Sequence, residues 1–451
     1  MKRFKSLWDR LLFRDKGIVP TKKLLSFYAL FLLAIFILSL WQFSWLFLLI
    51  ATLLIVSVLV IDAFLLPNKA NIEVKRAMEK EIERYEKQKV VIHIQNHMSA
   101  PFIVRLKDEL PASFSTTFPS NIDVPSNGKV EIPYEMLPEL RGNYTIDRLF
   151  LRFQTKWGLW EKQITYSIPN EVKVIPNLSE TKRYLASAQN YLLTEGIKIR
   201  KMKSGVGEFS KVRGYVVGDD PRKINWRQSA KLQEMMTNEY EPEHGKNITI
   251  LLDCGRMMGV ELEEGNRLEK SIEAAITLAA AALQNGDNVS VIAFSKEIKR
   301  VIPNGKGLDH LNTILQGVYD LQIDAQESNY ALALQHAQSI QRKRSMILLF
   351  SDVQTFANED YQLAYLKKLR KKHLFVTLGI QDLLLQEQIK IKPKNVLTTM
   401  EKGLAQKQYL NQKQVMNKWE KHGLPMLEAP AERLAVTSVS HYIDTLNRGL
   451  I

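Results

Sequence analysis

From residue 24 to residue 61 the chain carries no charged side chain, and no other feature constrains its architecture more. One helix of that length would rise about 57 Å, nearly twice the roughly 30 Å hydrocarbon core of a bilayer. Two transmembrane spans fit better, about 24–40 and 45–66. The break falls near residues 40–44, where Trp41, Gln42 and Trp45 supply a polar group and interfacial aromatics for a turn. A cleaved signal peptide fits poorly. The apolar stretch is long, lacks a small-residue cleavage pattern and runs at once into a second span.

Residues 1–23 form a basic leader in which Lys2, Arg3, Lys5, Arg10, Arg14, Lys16, Lys22 and Lys23 are opposed only by Asp9 and Asp15. Lys69, Lys75, Arg76 and Lys80 follow the apolar region, and the turn between the spans has no positive charge. That asymmetry orients both flanks toward the cytoplasm and gives a multi-pass protein of the inner membrane with its soluble part inside the cell. The formal charge of +14 is thereby assigned to lipid headgroups and topology, with no nucleic-acid partner expected. Cys254 is the only cysteine, so there is no disulfide framework and no cysteine-based zinc site.

Residues 68–178 change character. Short segments rich in β-branched and aromatic residues, at 90–95, 102–106, 149–153 and 163–168, are punctuated by Pro, Asn, Ser and Gly, which is the spacing of a small antiparallel β-sandwich. His93 and His97 do not make a metal site, because four residues on a strand separate them by roughly 13 Å. A helical linker is expected over 179–204.

Residues 205–226 hold an unusual block: Gly205, Gly207, Glu208, Phe209, Arg213, Gly214, Tyr215, Gly218, Asp219, Asp220, Pro221, Arg222 and Trp226. One reading is a turn-rich connection whose charges form ion pairs and cap a helix starting near Pro221. The other is a partner-binding surface, with Glu208, Arg213, Asp219 and Arg222 as charged anchors around Tyr215 and Trp226, supported by Gly218 and Asp220. Downstream, strand and helix patterns alternate: strands at 248–252, 289–294, 346–350 and 374–378, an edge strand at 298–302, and helices at 267–283, 308–321, 330–341 and 361–371. This implies a doubly wound, mostly parallel sheet over 205–451, with ligand sites at the carboxyl ends of the strands, where Asp253 and Asp352 stand.

The block at 205–226 resembles the signature of the domain of unknown function 58 family. The stretch Pro138, Glu139, Leu140, Arg141, Gly142 to Tyr144 is similar to that family's sandwich region, and residues 423–447 resemble its closing strand and helix. The resemblance implies a multidomain bacterial protein: a transmembrane helical hairpin, an antiparallel β-sandwich, then a von Willebrand A-like α/β domain, acting with a MoxR-type AAA+ ATPase. In typical von Willebrand A domains a divalent ion sits on an aspartate, two serines spaced D-x-S-x-S, a threonine and a second aspartate, hard ligands that suit magnesium. Here the first loop reads Asp253, Cys254, Gly255, Arg256, Met257, so both serines are missing. Ser328 falls at the threonine position and Asp352 at the second aspartate, leaving a degenerate set for a magnesium ion.

The chain has no G-x-x-x-x-G-K-[ST] loop, no G-x-S-x-G elbow and no H-E-x-x-H helix. A membrane-anchored, non-catalytic protein-binding adaptor is the expectation. The alternatives are a metal-dependent hydrolase using Asp253 and Asp352, and a surface adhesin, which the charge asymmetry opposes.

Overall fold

The computed structural model describes residues 17–40, 45–188, 208–241, 245–341, 343–357 and 360–451. They fall into two units, Met1–Ile175 and Pro176–Ile451. Most of the basic leader, the expected turn at 41–44, and Gly205 and Gly207 lie outside the described residues.

The first unit begins with a short strand, Ile18–Pro20, and two helices, Lys22–Leu40 and Trp45–Phe64. Among the described residues one helix, Trp45–Phe64, is long and apolar enough to cross a membrane, with a mean hydropathy of 2.8. Its side chains are turned outward rather than into a protein core, Leu46, Leu49, Leu53 and Leu54 among them. The near ends of both helices are fastened to one turn. Thr21 accepts the Leu24 N–H (3.2 Å), which caps the first helix, and donates to the Gly158 carbonyl (2.6 Å). Asp62, wholly buried near the end of the second helix, accepts from the Thr155 hydroxyl and from the Trp160 N–H (3.2 Å). The Trp160 indole donates to the Leu59 carbonyl (3.0 Å).

Two antiparallel sheets follow. In one, Ile72–Ala77, Gln88–Asn96, Lys129–Pro138 and Phe114–Thr116 lie side by side. The other runs Ile18–Pro20, Trp160–Ile175, Gly142–Gln154, Phe102–Asp108, Ile122–Val124, with Glu81–Glu83 added in parallel to Trp160–Ile175. Alternation does the sorting: Val90, Ile92 and Ile94 of one sheet and Val104, Leu106, Leu149, Leu151 and Phe153 of the other share a single core. His93 sits on a strand and faces Glu131 across it at 3.4 Å, as an ordinary cross-strand neighbour.

The second unit opens with Ser179–Ala186. This helix is not a free connector: Tyr184 is buried, and the Thr181 hydroxyl meets that of Thr277 at 2.9 Å on helix Arg267–Gln284. The rest of the expected linker, from residue 189 to 204, lies outside the described residues. A two-stranded hairpin comes next, Glu208–Gly214 with Met236–Glu241. The main sheet is ordered Ile298–Gly305, Asn288–Phe294, Asn247–Asp253, Ser345–Phe350, Leu374–Ile380, Met426–Ala429, antiparallel only at the first edge. Ser345–Phe350 is buried throughout, as a strand covered on both faces must be. On helix Arg267–Gln284 a run of small residues, Ala279 to Ala282, is fully buried and lets the helix approach closely. The chain moves outward from Asn247–Asp253 in one direction and then returns to its other side with Ser345–Phe350. The carboxyl ends of these two strands therefore bound the crevice where such sheets place ligands.

Candidate functional site

Asp253 ends its strand inside that crevice at 1% exposure. Its Oδ1 accepts the Gly255 N–H (2.8 Å) and the Ser328 hydroxyl; its Oδ2 accepts from Ser351 (2.5 Å) and Tyr330 (3.1 Å). Tyr330 and Ser351 also meet each other at 3.0 Å. Burial raises the Asp253 pKa, and the four donors pull against that rise. Burial and the Asp253 charge raise the Tyr330 phenol in turn, so it stays a donor.

Asp352 belongs to a separate arrangement. Its Oδ1 lies 2.5 Å from the Arg267 guanidinium at the start of helix Arg267–Gln284, and its Oδ2 accepts from the Thr355 N–H (3.0 Å) and hydroxyl (2.7 Å). The structure thus brings Asp253 and Ser328 into contact, while Asp352 is paired with an arginine. A small cleft of about 90 Å³ opens on Asp253, Arg256, Met257, Glu327, Ser328, Tyr330 and Thr355. Arg256 reaches across it to Glu327 (3.1 Å).

These residues do not fit a divalent ion. A Cβ on Gly255 would lie 2.0 Å from the Ser328 hydroxyl, so the position where a ligating serine would stand is filled by Ser328 itself. Arg267 already neutralises Asp352. The magnesium expectation is therefore not carried further. Cys254 is fully buried.

Sequence reasoning missed Arg267, Tyr330, Ser351 and Thr355. Tyr330 and Ser351 are 77 and 98 positions from Asp253, and only the sheet topology joins them. An arginine at the first position of helix Arg267–Gln284 was the one local signal. Acidic groups normally occupy that end, and this cation points instead into a carboxylate.

The hairpin carries the other candidates. Arg213 binds Asp219 through both terminal nitrogens (2.7 and 2.8 Å), and the Asp219 carboxylate also accepts the Val216 N–H (3.0 Å). The hydrogen bond and nearby charge of Arg213 hold Asp219 below its ordinary pKa. Tyr215 donates to the Asp219 carbonyl (3.3 Å), and Gly218 takes φ +110°, which favours glycine. Asp220 accepts the Arg222 N–H (3.0 Å) at Pro221–Lys223, and Asn225 caps Trp226–Leu232. Glu208 begins the strand, paired in register with Glu241. Of the charges named as anchors, Arg213 and Asp219 are thus engaged with each other, and the stretch also exposes apolar groups: Val217 at 97%, Trp226 at 68% and Val216 at 62%.

Comparison with known proteins finds likenesses to parts of this chain. Uncharacterized protein YeaD of Bacillus subtilis is 24% identical over 204 residues, which cover 44% of this chain and about half, 48%, of that relative. Among solved structures, the conserved hypothetical protein BatB of Bacteroides thetaiotaomicron matches over 45% of this chain and all of its own, at 16% identity and a TM-score of 0.31. A PapD-like domain of human CEP192 matches over 24% of this chain and 88% of its own, at 16% identity and a TM-score of 0.19. A sequence model described as "Protein of unknown function DUF58" matches residues 211–401, which span most of the hairpin and both strand-end aspartates. Over residues 211–401 this chain is similar to the family described as protein of unknown function DUF58.

Proposed function

We propose that this protein is a membrane-anchored, non-catalytic adaptor that holds a protein partner at the cytoplasmic face of the inner membrane. The observation that carries it is the closed chemistry of the crevice. Asp253 is held by four internal donors and Asp352 by Arg267 and Thr355, so neither carboxylate is left to activate water or hold a metal. The apolar surface of Trp45–Phe64 supports anchoring. Attachment of Thr21 and Asp62 to the same 155–160 turn supports a hairpin of two spans, because it leaves the opposite ends, Leu40 and Trp45, to meet across a short connection. The Lys and Arg excess on both flanks favours a cytoplasmic orientation.

The partner surface in this reading is the hairpin loop, with Trp226, Val216 and Val217 presented on a frame fixed by Arg213, Asp219 and Asp220. The partner class is the MoxR-type AAA+ ATPase that the family resemblance implies, with assembly of a protein complex as the joint task. The test is affinity capture of the intact protein from its native membrane, with and without magnesium, followed by mass spectrometry. Recovery of an AAA+ ATPase in both conditions is expected. Recovery of none, together with a metal-dependent hydrolytic activity lost in Asp253→Asn, overturns the reading.

A further inference from the structure

Helix Val396–Lys421 turns apolar side chains to solvent that a packed domain has no use for. Val396, Leu397, Met400 and Leu404 are between 63% and 72% exposed. Leu397, Met400 and Leu404 are spaced three and four apart, which puts them on one helix face. The preceding helix, Leu383–Lys390, adds Leu384 at 71%, and Ile391 just beyond it is 53% exposed. The core needs none of these; the same long helix buries Ala405 and Trp419 instead.

The charge around this face has one sign. Between residues 390 and 407 stand Lys390, Lys392, Lys394, Lys402 and Lys407 against a single acid, Glu401. Lys402 donates to the Ile391 carbonyl at 3.1 Å, which ties the two helices together and keeps ammonium and apolar groups at one end of the pair. A second copy of this chain would set these lysines against the same lysines, so self-association is opposed by charge. An anionic bilayer surface satisfies both halves: phosphates take the ammonium groups, and the aliphatic side chains enter the headgroup–acyl boundary.

We propose that the face formed by Leu384, Ile391, Val396, Leu397, Met400 and Leu404 is a second membrane contact that docks on anionic lipid headgroups. It rests on the membrane-anchored reading only in so far as the tether raises the local concentration of bilayer around it.

The test uses the full chain in phosphatidylcholine vesicles, with or without phosphatidylglycerol. An environment-sensitive dye sits on Leu404→Cys, the native thiol at Cys254 being buried. Lys306→Cys, an exposed position elsewhere, is the reference. Nitroxide-bearing lipids should quench most of the Leu404→Cys fluorescence when phosphatidylglycerol is present, and little of it without. High salt, or the combined Lys390→Glu, Lys392→Glu and Lys394→Glu change, should abolish the quenching. Quenching no greater than at the reference position in anionic vesicles overturns the proposal. So does dilution-dependent shielding, which assigns the face to a second copy, or shielding found only in native membranes, which assigns it to a protein. Carbonate extraction separates the two claims. A chain released by carbonate refutes the transmembrane anchor, whereas dye quenching on anionic vesicles reports on this face in either case.

Discussion

Arg76 with Asp108, and Arg213 with Asp219, are the same two chemical groups at nearly the same separation, in opposite surroundings. The first pair lies inside the sandwich with both side chains wholly buried, 2.5 Å apart. Arg76 comes from one sheet and Asp108 from the other. Arg76 also donates to the Ile146 and Ile168 carbonyls (2.8 and 2.7 Å), and Tyr134 donates to the free oxygen of Asp108 at 2.6 Å. The second pair closes the loop from residue 213 to residue 219 and stays 37% and 22% exposed. Desolvation makes the buried pair an all-or-none element of the fold, because a charge left alone there has no water to turn to. Solvent makes the exposed pair a shaping device that the fold can lose.

The sharpest test of that contrast is Arg76→Ala, which strands Asp108 between the sheets. We expect a loss of about 3–5 kcal/mol in denaturant unfolding of the purified chain. A loss under about 1 kcal/mol, the range of exposed pairs, would erase the distinction.

Between these extremes sits the Asp253 crevice, where space rather than charge decides. In Gly255→Ala the new methyl group meets the Ser328 hydroxyl and must drive it off Asp253. The expected cost is about 1–3 kcal/mol. With Ser328→Ala already in place the same change should cost clearly less. Additive losses in a double-mutant cycle would show that the two positions do not compete for one space.

How much of this was legible beforehand follows from the range of the interactions. The apolar run 24–61 and the alternating strands announced themselves because their signals are local. Asp253 was visible as the polar stop to an apolar strand. Its partners were not, since Ser328, Tyr330 and Ser351 reach it only once Ser345–Phe350 pairs beside Asn247–Asp253. Helix Val396–Lys421 escaped notice because its apolar residues are divided between a buried set and an exposed face, which blurs the period. Ser179–Ala186 resembled a linker because a short charged helix betrays its packing only through Thr181 and Tyr184.

The same contrast of burial sets opposite pH profiles for two aspartates near the crevice. Burial raises the Asp253 pKa above its ordinary 3.8. Its native state therefore holds the proton more tightly than the unfolded chain, and the advantage of wild type over Asp253→Asn should be greatest in acid and decline as pH rises above about 3.8. Asp324 goes the other way: the Lys299 ammonium at 2.7 Å and the Ser295 hydroxyl lower it to about 2. The advantage over Asp324→Asn should appear as pH rises from about 2 to 3.8 and persist above that. Urea midpoints measured from about pH 2 to well above 3.8 check both, and parallel slopes would contradict the burial argument.

The smallest expected effect on stability is the one most informative about function. In Arg213→Ala the Asp219 carboxylate keeps the Val216 N–H but loses both guanidinium bonds, so residues 215–218 are no longer held in one shape. Both side chains of the pair are part-exposed, so the unfolding midpoint should hardly move. Capture of the partner should fall, because the exposed Val216 and Val217 must then be ordered on binding. Trp226→Ala tests the contact itself, since it removes an exposed aromatic while leaving the Arg213 and Asp219 frame intact. If Arg213→Ala lowers the midpoint as far as Arg76→Ala does, the exposed pair is a fold element after all. If both hairpin variants capture the same partners as wild type, the hairpin is not the docking surface, and the exposed ion pair serves only to shape its own loop.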